Sequence, residues 1–264
     1  MLCQLLPPEP LPPELPGASQ SFQLVDMATA LAGSSAEPDS IDTASHPLAP
    51  PRASSWHCTQ VLSGHSSWVR TIAVSVDGKF IVSGSGDKTI RIWHLATGNP
   101  IQKIEGHGAW VRSVAVSPDN TCFASVSNDN TIRLWDIHTG HPLGELIGHT
   151  NWVRAVTFSA NGKYLFSGGQ DNKICAWKVS DQTLIHRFNG HNHWVRSIAA
   201  SSDGTTLVSG SQDKTIRLYR LKGKGTNHVL TGHTGEILSV AVSPNNWLLA
   251  SASADCTVTV LEAK

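Results

Sequence analysis

A repeat of fixed length constrains this chain more than any other feature. Gly-His pairs stand at 64–65, 106–107, 148–149, 190–191 and 232–233, each 42 residues after the one before. Twenty-two residues after each His comes an Asp: Asp87, Asp129, Asp171, Asp213 and Asp255. Six residues after each Asp stand Trp93, Trp135, Trp177, Tyr219 and Leu261 in turn. A period in this range belongs to solenoids, propellers and arrays, whose single units cannot bury an apolar face without a neighbour.

The content of one unit narrows the choice. Short β-rich blocks, Val69–Val74, Phe80–Val82, Thr89–Trp93 and Pro100–Ile104, are separated by turn signals at Val76-Asp-Gly-Lys79, Gly86-Asp-Lys88 and Ala96-Thr-Gly-Asn99. Four strands of about five residues leave connections of ordinary hairpin length. The expected unit is a four-stranded antiparallel meander, and the expected class is all-β.

Gly-His, turns of the type Ser117-Pro-Asp-Asn120 and Ser243-Pro-Asn-Asn246, and Asp-Lys-Thr-Ile-Arg-Ile-Trp at 87–93 together resemble the WD-repeat (WD40) β-propeller family. The resemblance covers residues 56 to 264. Only Trp135-Asp136 is a literal Trp-Asp; its counterparts are Trp93-His94, Trp177-Lys178, Tyr219-Arg220 and Leu261-Glu262. The resemblance implies a propeller of five four-stranded blades, in which an N-terminal strand, residues 57–62, completes the last blade. Relatives commonly carry about seven repeats, so two arrangements stay open: a closed five-bladed ring, or a partial ring that a second copy closes as a homodimer.

Each repeat contains Ser, His and Asp, the residue types of a hydrolytic triad. Five interchangeable copies in phase with the fold argue against catalysis, which needs one exposed copy. The resemblance implies structural hydrogen-bonded tetrads instead: His65, Ser83, Asp87 and Trp93; His107, Ser125, Asp129 and Trp135; His149, Ser167, Asp171 and Trp177; and His191, Ser209 and Asp213 with Tyr219 in the Trp place. In the fifth repeat Leu261 cannot take part, so the last blade is expected to be the least stable.

A second set recurs in four repeats. Three residues after each His comes Trp-Val-Arg: Trp68 and Arg70, Trp110 and Arg112, Trp152 and Arg154, Trp194 and Arg196; the fifth repeat has Glu236-Ile-Leu238. The middle residue is expected in the core by strand alternation. Family geometry implies that the Trp and Arg ring the top opening of the channel. They serve there as glue between blades, as a recognition surface for acidic or phosphorylated protein segments, or as both. Gly86, Asn128, Gln170, Gln212 and Ala254 are expected on the same face as an uncharged rim.

Charge and cysteine content add the rest. The chain has 20 Lys+Arg against 20 Asp+Glu, yet residues 1–55 hold Glu9, Glu14, Asp26, Glu37, Asp39 and Asp42 against Arg52 alone, net −5, which leaves +5 for the remainder. Ten of the 14 prolines also precede residue 52. That composition predicts a disordered acidic leader at 1–55, able to fold back over an Arg-rich mouth as an internal mimic of a partner. Five cysteines without CxxC spacing predict a reducing compartment, cytoplasmic or nuclear and not secreted. No metal, cofactor or membrane contact is expected. The functional expectation is a non-catalytic scaffold for protein partners; an RNA-associated subunit of a ribonucleoprotein or ribosome-assembly complex is the alternative.

Overall fold

The computed structural model describes residues 58–222 and 227–262, so the leader and His57 lie outside the described residues. Among the described residues nineteen strands form five antiparallel sheets, each built from strands consecutive in sequence. Blade 1 holds β1 (Val69–Val74), β2 (Phe80–Ser85), β3 (Ile90–His94) and β4 (Pro100–Ile104). Blade 2 holds β5 (Val111–Val116), β6 (Cys122–Ser127), β7 (Ile132–Asp136) and β8 (Pro142–Leu146). Blade 3 holds β9 (Val153–Phe158), β10 (Tyr164–Gly169), β11 (Ile174–Lys178) and β12 (Thr183–Phe188). Blade 4 holds β13 (Val195–Ala200), β14 (Thr206–Ser211), β15 (Ile216–Arg220) and the short β16 (His228–Leu230). Blade 5 has only β17 (Ile237–Val242), β18 (Leu248–Ser253) and β19 (Val258–Glu262).

The core is divided into four clusters, one at each junction between consecutive blades. Val82, Ile90 and Ile92 of blade 1, for instance, pack against Val111, Val114 and Phe123 of blade 2. The middle strands are buried on both faces, and so read as nearly continuous runs of small and apolar residues, as in Cys122–Ser127. The inner strands pack in the order β1, β5, β9, β13, β17, while β1 and β17 make no comparable contact.

Two expectations are not met among the described residues. Cys58–Leu62 carry no strand, and blade 5 shows no fourth strand among the described residues. Gln60 instead donates from Nε2 to the carbonyl of Ala96 at 3.1 Å, which holds this segment on the turn of blade 1. The middle residue of Trp-Val-Arg is sealed in blades 2 to 4, where Val111, Val153 and Val195 are 0% exposed, but Val69 is 52% exposed. The reason is the same for both. Val69 depends on a preceding blade for its burial, and none precedes blade 1 among the described residues.

Blade 5 combines three strands, an incomplete tetrad and the exposed Val258 and Val260. Amides of β19 are therefore expected to exchange hydrogen faster than those of β11, its counterpart in blade 3. Native-state hydrogen exchange showing β11 opening first would contradict this ranking.

Candidate recognition site at the channel mouth

Each tetrad is a chain of hydrogen bonds that ends on the Asp. In blade 2, Trp135 Nε1 donates to Ser125 Oγ at 2.8 Å, Ser125 Oγ meets His107 Nε2 at 2.7 Å, and His107 Nδ1 meets Asp129 Oδ2 at 2.8 Å. An indole nitrogen can only donate. The carboxylate can only accept, so the ring's Nδ1–H points at it, and Nε2 of the neutral imidazole then accepts the proton of the Ser hydroxyl that accepts from the indole. Blades 1 and 3 repeat this chain with Trp93 and Trp177. Blades 4 and 5 keep His–Asp and His–Ser but lack the indole donor, since Tyr219 and Leu261 stand in its place. The hydroxyl of Tyr219 is buried without a hydrogen-bond partner.

The carboxylate gathers more donors than the repeat alone revealed. Asp129 Oδ1 accepts from the hydroxyl of Thr131 at 2.7 Å and from its amide at 3.0 Å, and Oδ2 accepts from the amide of Gly108 at 2.9 Å. Thr89, Thr215 and Thr257 do the same in blades 1, 4 and 5, while Lys173 offers only its amide in blade 3. Burial alone would raise these carboxyls. The converging donors overcome it, hold Asp129 far below the ordinary carboxylate range and bring Asp213 down to about 2. The signal was present as Thr two residues after four of the five Asp residues.

The tetrads fix the loop from His to Asp, and this loop delivers the Trp-Val-Arg set. The amides of Gly86, Asn128, Gln170 and Gln212 donate to the carbonyls of Trp68, Trp110, Trp152 and Trp194 at 2.8–3.0 Å, so rim and Trp share one end of each blade. In every blade the pairing then skips one residue: Val111 opposes Ser127 and Ser113 opposes Val126, with Arg112 left between them. The same bulge isolates Arg70, Arg154, Arg196 and Leu238. A bulge re-aims the extra side chain, and these four arginines consequently line one cavity of about 390 Å³ with Trp68, Val69 and Leu238.

Within that mouth Arg and Trp alternate along the arc. The guanidinium of Arg70 lies 4.5 Å from the ring centre of Trp110, that of Arg112 lies 5.5 Å from Trp152, and that of Arg154 lies 4.6 Å from Trp194. Blades 1 to 3 thus each place a cation over the aromatic face of the next. The rim amides orient the same groups. Arg112 Nε donates to Asn128 Oδ1 at 2.7 Å, and Gln170, with its amide oxygen turned toward the guanidinium, accepts from Arg154 Nε at 2.9 Å. Arg196 forms an ion pair with Glu236, which Gln212 also holds through Nε2 at 2.7 Å. Trp68, Trp110 and Trp152 remain 60%, 40% and 38% exposed. The arrangement joins blades and presents a cationic, aromatic surface at once.

Among the described residues no group of three or more His, Cys, Asp or Glu side chains is placed to hold a metal ion. No helix there is long and apolar enough to cross a membrane.

Comparison with known proteins agrees with this architecture. The family described as "WD domain, G-beta repeat" matches residues 56–94, 98–136, 140–178, 182–220 and 225–260, well over half of the chain. The chain belongs to the WD-repeat family. It is similar to the pre-mRNA-splicing factor prp46 of Aspergillus fumigatus, 37% identical over 93 residues, which are 33% of this chain and 20% of that protein. It is also similar to pre-mRNA-splicing factor PRP46 of Candida glabrata, 54% identical over 44 residues (16% of this chain, 10% of that protein). A third relative is the nuclear distribution protein PAC1 of Arthroderma otae, 40% identical over 48 residues (18% of this chain, 10% of that protein). These matches span a fifth or less of the relatives' own length.

Proposed function

We propose that this WD-repeat chain is a non-catalytic scaffold that captures acidic or phosphorylated segments of partner proteins at its Arg/Trp mouth. The observation that carries this reading is the convergence of Arg70, Arg112, Arg154 and Arg196 on one cavity, between aromatic faces that remain exposed. Four guanidiniums gather at this one cavity, and Glu236 pairs with that of Arg196. Forked donors of this kind match carboxylate and phosphate oxygens. The tetrads take no catalytic part: the Ser hydroxyls of blades 1 to 4 are buried and committed to His, and in blades 1 to 3 to Trp as well. The fifth sheet, three-stranded among the described residues, offers its β19 edge to residues 57–62 as a fourth strand. The free thiols of Cys58, Cys122, Cys175 and Cys256 fit the cytoplasm or nucleus.

The second reading, an RNA-associated subunit, draws on the exposed Trp faces, which can stack bases, and on the two splicing-factor relatives. Affinity purification with the wild type and with Arg70, Arg112, Arg154 and Arg196 all changed to Glu tests the site itself. Partners lost from the variant alone, with its β-sheet circular dichroism intact, are the expected result. Identical partner sets from both proteins would remove the mouth from consideration.

A further inference from the structure

Three positions of the repeat leave the junction between blades 3 and 4 open, and a cavity of about 700 Å³ lies there. Ala176 of β11 stands where Ile92, Leu134 and Leu218 stand in blades 1, 2 and 4, so the face toward blade 4 is underfilled. Phe188 of β12 is only half-buried, whereas Ile104 and Leu146, at the same place in blades 1 and 2, are buried. A second gap lies at the turns. The amide of Val76 donates to Asn120 Oδ1 at 2.7 Å across the first junction, and that of Ser202 to Asn246 Oδ1 at 2.9 Å across the fourth. Between blades 2 and 3, Pro118 has no N–H to give and meets Gly162. Between blades 3 and 4, Ala160 has an N–H, yet Gly204 occupies the Asn place and offers no acceptor side chain. The third gap is aromatic. Phe80 of blade 1 is capped edge-on by His138 of blade 2, ring centres 5.5 Å apart. The corresponding pair is Tyr164 and Lys222; Lys222 Nζ lies beside Gly204, and Tyr164 stays 37% exposed.

The cavity combines an apolar lining with charged groups. Tyr164, Phe166, Ile185 and Phe188 supply the apolar walls, and the exposed Asp203, Arg220 and Lys222 supply the charges. Asp203 is already committed: its carboxylate accepts from Ser201 and Thr205 and lies in the field of Lys222. Arg220 gives its amide to Asn227, and its guanidinium has no hydrogen bond or ion pair with any described residue. One forked donor is therefore uncommitted beside an aromatic cavity. Tyr164 begins β10, whereas Gln170 of the mouth's rim follows the end of β10. The cavity and the Arg/Trp mouth thus lie at opposite ends of the blade.

We propose that this cavity is a second binding site, independent of the mouth, for a protein segment that carries a large apolar side chain beside a carboxylate. Its volume falls within the range of about 300–1,000 Å³ usual for ligand sites, which admits a Trp, Phe or Leu side chain. The aromatic walls reward burial of that side chain, and a carboxylate one or two residues away meets the fork of Arg220. An uncharged apolar molecule leaves this guanidinium unused. A basic segment meets like charge at Arg220 and Lys222. The chain's own repeats show how to close the site. Ala176→Leu supplies the side chain found at Leu134 and Leu218. Gly204→Asn places an Asn at φ 65°, a conformation that Asn120 and Asn246 already adopt at φ 57° and 62°.

Selection from a random peptide display library on the full chain, followed by affinity measurement with the enriched peptides, tests this. One enriched class is expected to carry Trp, Phe or Leu within two residues of Asp or Glu. These peptides are expected to bind Ala176→Leu and Gly204→Asn at least about tenfold more weakly than the wild type, as loss of an apolar contact worth one order of magnitude requires. Arg220→Glu is expected to cost a similar factor, about that of one charge-assisted hydrogen bond. All three variants are expected to keep the β-sheet spectrum, and the variant with Arg70, Arg112, Arg154 and Arg196 changed to Glu is expected to bind these peptides as the wild type does. Enrichment of no such class, equal binding by the wild type and both closed variants, or indifference to Arg220→Glu would overturn the proposal. Acidic peptides that Ala176→Leu keeps and the quadruple variant loses belong to the mouth, so the two sites fail separately.

Discussion

Ser125→Ala will destabilise the chain by about 2–6 kcal/mol, and Ser251→Ala by about half of that. Ser125 is 0% exposed, and its hydroxyl serves two buried nitrogens, His107 Nε2 and Trp135 Nε1. Alanine leaves both without a partner, and each such group costs about 1–3 kcal/mol. Ser251 meets only His233 Nε2, at 2.9 Å, because Leu261 has no N–H to give. Denaturant unfolding followed by circular dichroism measures both losses, with the slope compared between variants because repeat arrays can unfold in parts. Equal losses in the two blades would mean that the cost comes from the small cavity and not from the broken chain of hydrogen bonds.

That contrast is one a reader can draw from the primary structure, since the Trp of the tetrad is visibly replaced in the last repeats. The strand layout is legible for the same reason: identical spacing five times over leaves little freedom in where β1 to β19 begin and end. The re-aiming of Arg70, Arg112, Arg154 and Arg196 is not legible, because a bulge exists only relative to the partner strand. Alternation alone places Trp68 and Arg70 on one face of a regular strand; the skipped pairing is what directs the Arg to the mouth. The exposed ends are hidden for a different reason. Val69 and Val111 are the same residue at the same phase, yet one is 52% and the other 0% exposed. Burial here belongs to the neighbouring blade, and no residue in the repeat records whether that neighbour is present. The Thr residues on the tetrad Asp lie between these cases: their recurrence is visible at 89, 131, 215 and 257, but their role needs the carboxylate geometry.

Charge at the mouth separates the two functional readings when ligands of known chemistry are used. The Arg70, Arg112, Arg154 and Arg196 to Glu variant is expected to bind a phosphorylated acidic peptide at least about a hundredfold more weakly than the wild type. Two engaged charge-assisted hydrogen bonds of about 1.5 kcal/mol each already supply that factor, and reversal adds repulsion. A single-stranded RNA oligomer tests the other reading through salt. If four phosphates replace counterions at these arginines, the logarithm of affinity falls against the logarithm of salt concentration with a slope of about −3. Under the scaffold reading the RNA is the weaker ligand at physiological salt and the peptide remains bound. Under the RNA reading the order inverts, and Trp110→Ala and Trp152→Ala weaken RNA by about 1–3 kcal/mol per stacked base. Affinities of the quadruple variant equal to the wild type for both ligands would show that the stacked Arg and Trp only hold the blades together. The exposure of Trp68, Trp110 and Trp152 argues against that outcome, since a side chain serving packing alone gains most by being buried.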